Sequence, residues 1–182
     1  CDYMGTDVFP VFEKCPKIAE VNIGENVKTI PNSAFYGCSG LTYVNIPNSV
    51  KTIGNSAFCG CKGLTSMHIP SSVTSIGSAA FSGCTALTSV NIPEGVPSID
   101  SSTFNFCDNL TSIIIPKSVS SIGQHSFYHC IGLTSIIIPE NVTVIKESAF
   151  YLCTNLAKVT NYSALNIVKV ATSHGWVAYY AN

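Results

Sequence analysis

Residues 79–93 read AAFSGCTALTSVNIP, and nearly the same words stand at 56–70, SAFCGCKGLTSMHIP, and at 125–139, HSFYHCIGLTSIIIP. Aligned on the phenylalanine, the chain gives Phe12, Phe35, Phe58, Phe81, Phe104, Phe127 and Phe150, each 23 residues after the last. Cys15, Cys38, Cys61, Cys84, Cys107, Cys130 and Cys153 keep the same step. So do Leu41, Leu64, Leu87, Leu110, Leu133 and Leu156, the inward pair typified by Val90 and Ile92, and a returning limb typified by Val96 and Ile99. No insertion interrupts the register.

A unit of 23 residues cannot bury its own apolar side. Stacked on its neighbours, it turns each column into a continuous ladder inside a shared core. The fold expected is therefore a solenoid. Thr-Ser-Val-Asn-Ile alternates strictly and reads as a short parallel strand, ended by a proline that cannot donate to the ladder (Pro47, Pro70, Pro93, Pro116, Pro139). Ser-Ala-Phe-x-Gly-Cys suits a short helical or 3₁₀ turn on the opposite, convex side. Gly54, Gly77 and Gly123 are expected to mark a backbone bend before it.

The pattern V-x-x-I-G-x-x-A-F-x-G-C-x-G-L-T-S-V-x-I-P, running from about residue 12 to 160, resembles the BspA-like type of leucine-rich repeat. That repeat occurs in surface proteins of oral and gut bacteria and in surface antigens of some protozoan parasites. The resemblance implies a curved α/β solenoid with its parallel sheet on the concave face, export, and attachment to host or bacterial partners, such as a host matrix or cell-surface protein. It leaves the function open, because such repeats are scaffolds on which a surface is varied.

The totals narrow the class. In 182 residues only 10% are charged, against roughly 25% in ordinary soluble domains, and the formal net charge is -1. No basic field is available for a phosphate backbone, so nucleic acid is excluded as the expected partner. Residues 63–93 carry no charge, yet Ser, Thr, Asn, Gly and Pro break them before the run of about 18 apolar residues that a spanning helix needs. No transmembrane segment is expected. Opening on Cys1 without a leader reads as a processed or excised form, with the lipid-bearing cysteine of a bacterial lipoprotein the less favoured reading.

Nine cysteines invite a disulfide framework, but stacking makes the Cβ vectors of successive column members parallel instead of convergent. They are expected to be buried, reduced and unreactive, with Cys1 and Cys59 the ones open to oxidation. No metal site is expected. His125 and His129 stand four apart, as two ligands on one helical face would, but no H-E-x-x-H accompanies them. The carboxylates fall in different turns, no G-x-S-x-G is present, and glycines do not cluster around a phosphate. No enzyme and no cofactor is therefore expected. Asn109, Asn141 and Asn161 head N-x-S/T sequons, for which chance occurrence is the favoured reading.

With the inner columns fixed, information can lie only in outward positions. On the strands these are Tyr43, Asn45, Ser66, His68, Ser89, Asn91, Ser112, Ile114, Ser135 and Ile137, the candidate binding face. Toward the C-terminal end asparagine gives way to Ile114 and Ile137, an apolar pair of the kind that marks interaction sites. Residues 1–11 read as a degenerate N-terminal turn or cap, 12–160 as the repeat array and 161–182 as a C-terminal cap. The cap carries Trp176, Tyr179 and Tyr180, which offer an alternative carbohydrate contact. The leading expectation is a monomeric, secreted or cell-surface module that binds a protein through its concave face. A structural spacer and a carbohydrate-binding module are the rivals.

Overall fold

The computed structural model describes residues 12–165, 167–168 and 177–178. The chain winds as a parallel-strand solenoid of about 6 turns. Each turn offers two strand positions. The first is filled by β1 (Glu20–Asn22), β3 (Tyr43–Asn45), β5 (Ser66–Met67), β7 (Ser89–Val90), β10 (Ser135–Ile138) and β12 (Lys158–Asn161). The returning limb gives β2 (Thr29–Ile30), β4 (Thr52–Ile53), β6 (Ser75–Ile76), β8 (Ser98–Ile99), β9 (Ser121–Ile122) and β11 (Val144–Ile145).

Pairing follows the repeat without slippage. Val21 stands opposite Val44, Met67 opposite Val90 and Ile136 opposite Val159, while Ile30, Ile53 and Ile76 line up on the returning limb. A one-residue slip would turn every inward side chain to solvent, so the apolar columns enforce this register. The first-strand face is segmented: β1 pairs β3, β5 pairs β7, β10 pairs β12, and between the last two pairs only an isolated Asn91–Ile114 bridge remains. Beyond the array, β13 (Ile167–Val168) and β14 (Val177–Ala178) pair antiparallel.

The interior is a set of ladders. The column phenylalanines stack with centroids 5.2–5.6 Å apart and planes within 11° of parallel. Phe35, Phe58, Phe81, Phe104 and Phe127 are fully buried. Burial of each contributes about 1.5–3 kcal/mol.

The expected helical or 3₁₀ turns are a correction. Among the described residues there is no helix, and the solenoid is all-β with a turn-built side. The amides explain why. Ser33, Phe35 and Gly37 donate to Asn55, Ala57 and Cys59 of the next coil, at 2.7–2.8 Å, while Ala34, Tyr36 and Cys38 donate three residues back. A helix needs every amide for its own ladder, whereas here every second one ties coil to coil. Left-handed residues at Ser33 (φ 56) and Gly37 (φ 71) break any helical run, and Ser56, Ala79, Ser102, His125 and Ser148 repeat the first break.

Gly54, Gly77 and Gly123 each open a turn, their carbonyls accepting the amides of Ala57, Ala80 and Ser126 three residues on. None has a positive φ. A Cβ on any of them would lie 2.6 Å from the main chain of the preceding coil, so glycine stands there for close approach.

Candidate functional site

All ten candidate residues are exposed: Tyr43, Asn45, Ser66, His68, Ser89, Asn91, Ser112, Ile114, Ser135 and Ile137. The strand registers align them in two rows, extended by Glu20 and Asn22 at one end and Lys158 and Thr160 at the other. Those four were missed by the sequence reading, although the column spacing alone locates them. Ser66, His68, Ser89, Asn91, Ser112 and Ile114 line one shallow depression of about 340 Å³.

Asn91 is not a free member of this face. Its Nδ2 donates to the Ile69 carbonyl at 2.8 Å and its Oδ1 accepts the Ile69 amide at 3.0 Å. In the first coil the equivalent amide, Ile23, is satisfied by the Asn45 main-chain carbonyl. The Asn91 side chain thus completes the sheet where the main-chain ladder lapses.

Ile114 and Ile137 are exposed to 81% and 54% and lie in successive coils, as the spacing predicts. Tyr162, 67% exposed, joins them around a second depression of about 450 Å³. The carboxylates that the sequence scattered are partly gathered here. Glu94, Lys117 and Glu140 occupy one column on its rim, and Lys117 Nζ lies 3.2 Å from Glu140 Oε1.

On the turn side, the structure does not set His125 and His129 on a helical face. Both have left-handed backbones (φ 55 and 59), His125 meets Tyr128 edge-on, and His129 Nδ1 lies 3.0 Å from Asp108 Oδ1. Phe106, Tyr128 and Tyr151 complete an aromatic cluster around them. Sequence reasoning missed it, though the signal was present: the column that holds Gly37, Gly60 and Gly83 continues as Phe106 and His129. Among the described residues no three His, Cys, Asp or Glu side chains converge as metal ligands.

The column cysteines are free thiols, buried from Cys38 onward, and they do more than fill space. Each donates to the phenylalanine carbonyl of the preceding coil: Cys61 to Phe35, Cys84 to Phe58, Cys107 to Phe81, Cys130 to Phe104 and Cys153 to Phe127, at 3.0–3.3 Å. Burial pushes Cys61 and Cys153 up to about 12, and Cys84, Cys107 and Cys130 well above the ordinary thiol value. They stay protonated, as a donor must. Cys59 is half-buried, and burial raises it too, against a hydrogen bond from Ser82 that lowers it. The thiol expected to be oxidisable is therefore less activated than its exposure suggests.

The three sequon amides are all engaged. Asn109 Nδ2 donates to the Thr85 carbonyl, Asn141 Nδ2 to that of Lys117 and Asn161 Nδ2 to that of Leu165, at 2.7–2.8 Å. Cys1, Trp176, Tyr179 and Tyr180, with the residues 1–11 read as a cap, lie outside the described residues. Among the described residues, no helix is long and apolar enough to cross a membrane.

Parallel strands in strict register, a 23-residue period and a leucine column define a leucine-rich-repeat solenoid. The chain belongs to the BspA-type family of such repeats: the signature of the BspA type leucine rich repeat region matches residues 10–131 and 51–172, in 6 copies. It is similar to a leucine rich cell surface protein from Faecalibacterium prausnitzii, with 35% identity over 93% of this chain and a TM-score of 0.79. This chain spans 49% of that protein. A leucine-rich repeat protein of T. pallidum is 30% identical over 80% of this chain and 70% of its own, with a TM-score of 0.76. A leucine-rich repeat protein from Eubacterium ventriosum shares the fold, at 24% identity over 87% of this chain and 48% of its own, with a TM-score of 0.67. No curated protein sequence matches the chain significantly.

Proposed function

We propose that this chain is a non-enzymatic protein-binding module of a secreted or cell-surface protein, acting as a monomer through its first-strand face and needing no cofactor. The observation that carries the reading is the contrast between the two sides of each strand. The inward columns hold buried apolar side chains, while the outward rows run from polar residues to exposed Ile114 and Ile137 across adjacent coils. A rigid preformed surface loses little conformational freedom when a partner docks. Placement at a cell surface is supported by the likeness to the F. prausnitzii cell surface protein. In this reading residues 12–160 are the recognition array and 161–182 cap it.

The test is an array of extracellular-matrix and cell-surface proteins probed with the wild-type chain and with a variant carrying Ser89→Arg and Ser112→Arg. Both serines are exposed, so the fold is retained. Proteins bound by the wild type and lost by the variant support the face. Binding that ignores both arginines overturns it. The rival spacer reading is favoured by one fact: this chain spans 49% of the F. prausnitzii relative, leaving room there for other modules. It predicts no specific binding by the isolated chain.

A further inference from the structure

Among the described residues, large apolar side chains are exposed at Tyr43, Phe106, Ile114, Ile137 and Tyr162. Three of them, Ile114, Ile137 and Tyr162, share one depression of about 450 Å³ at the edge of the first-strand face. Pro116 and Pro139 contribute to its lining, and a proline has no N–H to offer, so the floor is poor in donors. A chain with only 10% charged residues nonetheless places Glu94, Lys117 and Glu140 in a single column on the rim. Lys117 pairs with Glu140 at 3.2 Å, and the rim keeps a net negative charge at Glu94.

We propose that this depression docks a partner-protein segment that inserts an apolar side chain between Ile114 and Ile137 and sets a flanking lysine or arginine against Glu94 and Glu140. The proposal rests on the protein-binding reading and names the place and the chemistry. Other occupants fit worse. A sugar needs converging polar partners, which an apolar floor with proline edges lacks. An anionic membrane is repelled by the acidic rim. A second copy docked through the same patch brings like-charged rims together. An apolar anchor with a basic flank meets both features at once, the anchor supplying most of the affinity and the flank the selectivity.

The experiment uses the full chain and two synthetic peptides with the same central leucine and phenylalanine, one flanked by lysines and the other by glutamates, read by fluorescence polarisation. The basic peptide is expected to saturate and to bind at least tenfold more tightly than the acidic one, with the difference shrinking as salt is raised. Ile137→Asn should weaken it at least tenfold, and Glu94→Lys should erase or reverse the preference. Thermal melts establish that each variant is folded, and Ile114→Asn replaces any that is not. Equal binding of the two peptides, no saturable binding, or a preference that survives Glu94→Lys overturns the proposal. A partner lost with Ser89→Arg and Ser112→Arg but indifferent to Ile137→Asn and Glu94→Lys overturns this docking point while leaving the wider face intact.

Discussion

Cys84 Sγ lies 3.2 Å from the main-chain carbonyl of Phe58, 26 residues earlier, and that carbonyl also accepts the Cys61 amide at 3.1 Å. The carbonyl is thus shared between a turn within its own coil and a thiol from the next. If sulfur were only filler, Ser at 84 would be worse than Ala, since it buries a hydroxyl for nothing. If the thiol is a donor, the order reverses. Cys84→Ala is expected to cost about 1–2 kcal/mol and Cys84→Ser less. Urea unfolding of the two variants decides, and a serine variant weaker than the alanine one removes the hydrogen bond from the account.

The same protonated thiols set a pH dependence. An unfolded cysteine ionises near 9, whereas folded Cys61 and Cys153 are held at about 12 by burial. Below pH 9 both states keep the proton and stability is full. Above it the unfolded chain loses the proton first, so stability falls by about 1.4 kcal/mol per pH unit for each buried thiol. The decline continues until the folded thiols themselves ionise. Urea midpoints between pH 7 and 10.5 should fall more steeply for the wild type than for Cys153→Ala. Identical slopes would contradict the proposed linkage.

The architecture was legible because an uninterrupted register makes each residue's neighbour its own counterpart 23 residues on, so Phe58 on Phe81 and Val44 on Val21 follow from counting. The candidate face followed from alternation, and Ile114 and Ile137 lie exposed where it put them. The turn side was misread because Ser33 and Ala79 carry no propensity for the left-handed backbone they adopt; hydrogen bonds to the next coil hold them there. The Phe106–His129 cluster and the Asn91 clamp were hidden for a related reason. Each depends on what the adjacent coil leaves unsatisfied or unfilled, which no single window of sequence displays.

Glycines in this chain serve two purposes, and alanine separates them. At Gly60 (φ +75) a Cβ would meet nothing closer than the Gly37 Cα at 3.5 Å, so the cost is backbone strain alone. That is about 1–2 kcal/mol, partly offset by the stiffer unfolded chain. At Gly54 the Cβ would sit 2.6 Å from the Asn32 amide nitrogen and 2.7 Å from the Pro31 carbonyl carbon, main-chain atoms that cannot rotate away. Two coils must then part, and Gly54→Ala is expected to cost more than about 3 kcal/mol. Thermal melts should rank Gly54→Ala well below Gly60→Ala. The opposite ranking would mean that coil spacing is compliant.

Asn91 and Ile114 occupy neighbouring places in one outward row, yet their side chains have different roles. Asn91 makes two hydrogen bonds to the main chain of Ile69, at 2.8 and 3.0 Å, while Ile114 projects with 81% of its surface exposed. Asn91→Ile copies what the chain itself carries one coil later, and on a face under selection only for contact it would be harmless. It also strips both partners from Ile69, whose buried amide makes no main-chain hydrogen bond. The expected loss is about 1–3 kcal/mol. Ile114→Asn removes an exposed side chain and should shift stability by no more than about 0.5 kcal/mol. Paired urea titrations read both numbers. If Asn91→Ile proved neutral, Asn91 would return to the binding face as a contact residue, and the gap in the sheet beside Ile69 would have to be closed by water.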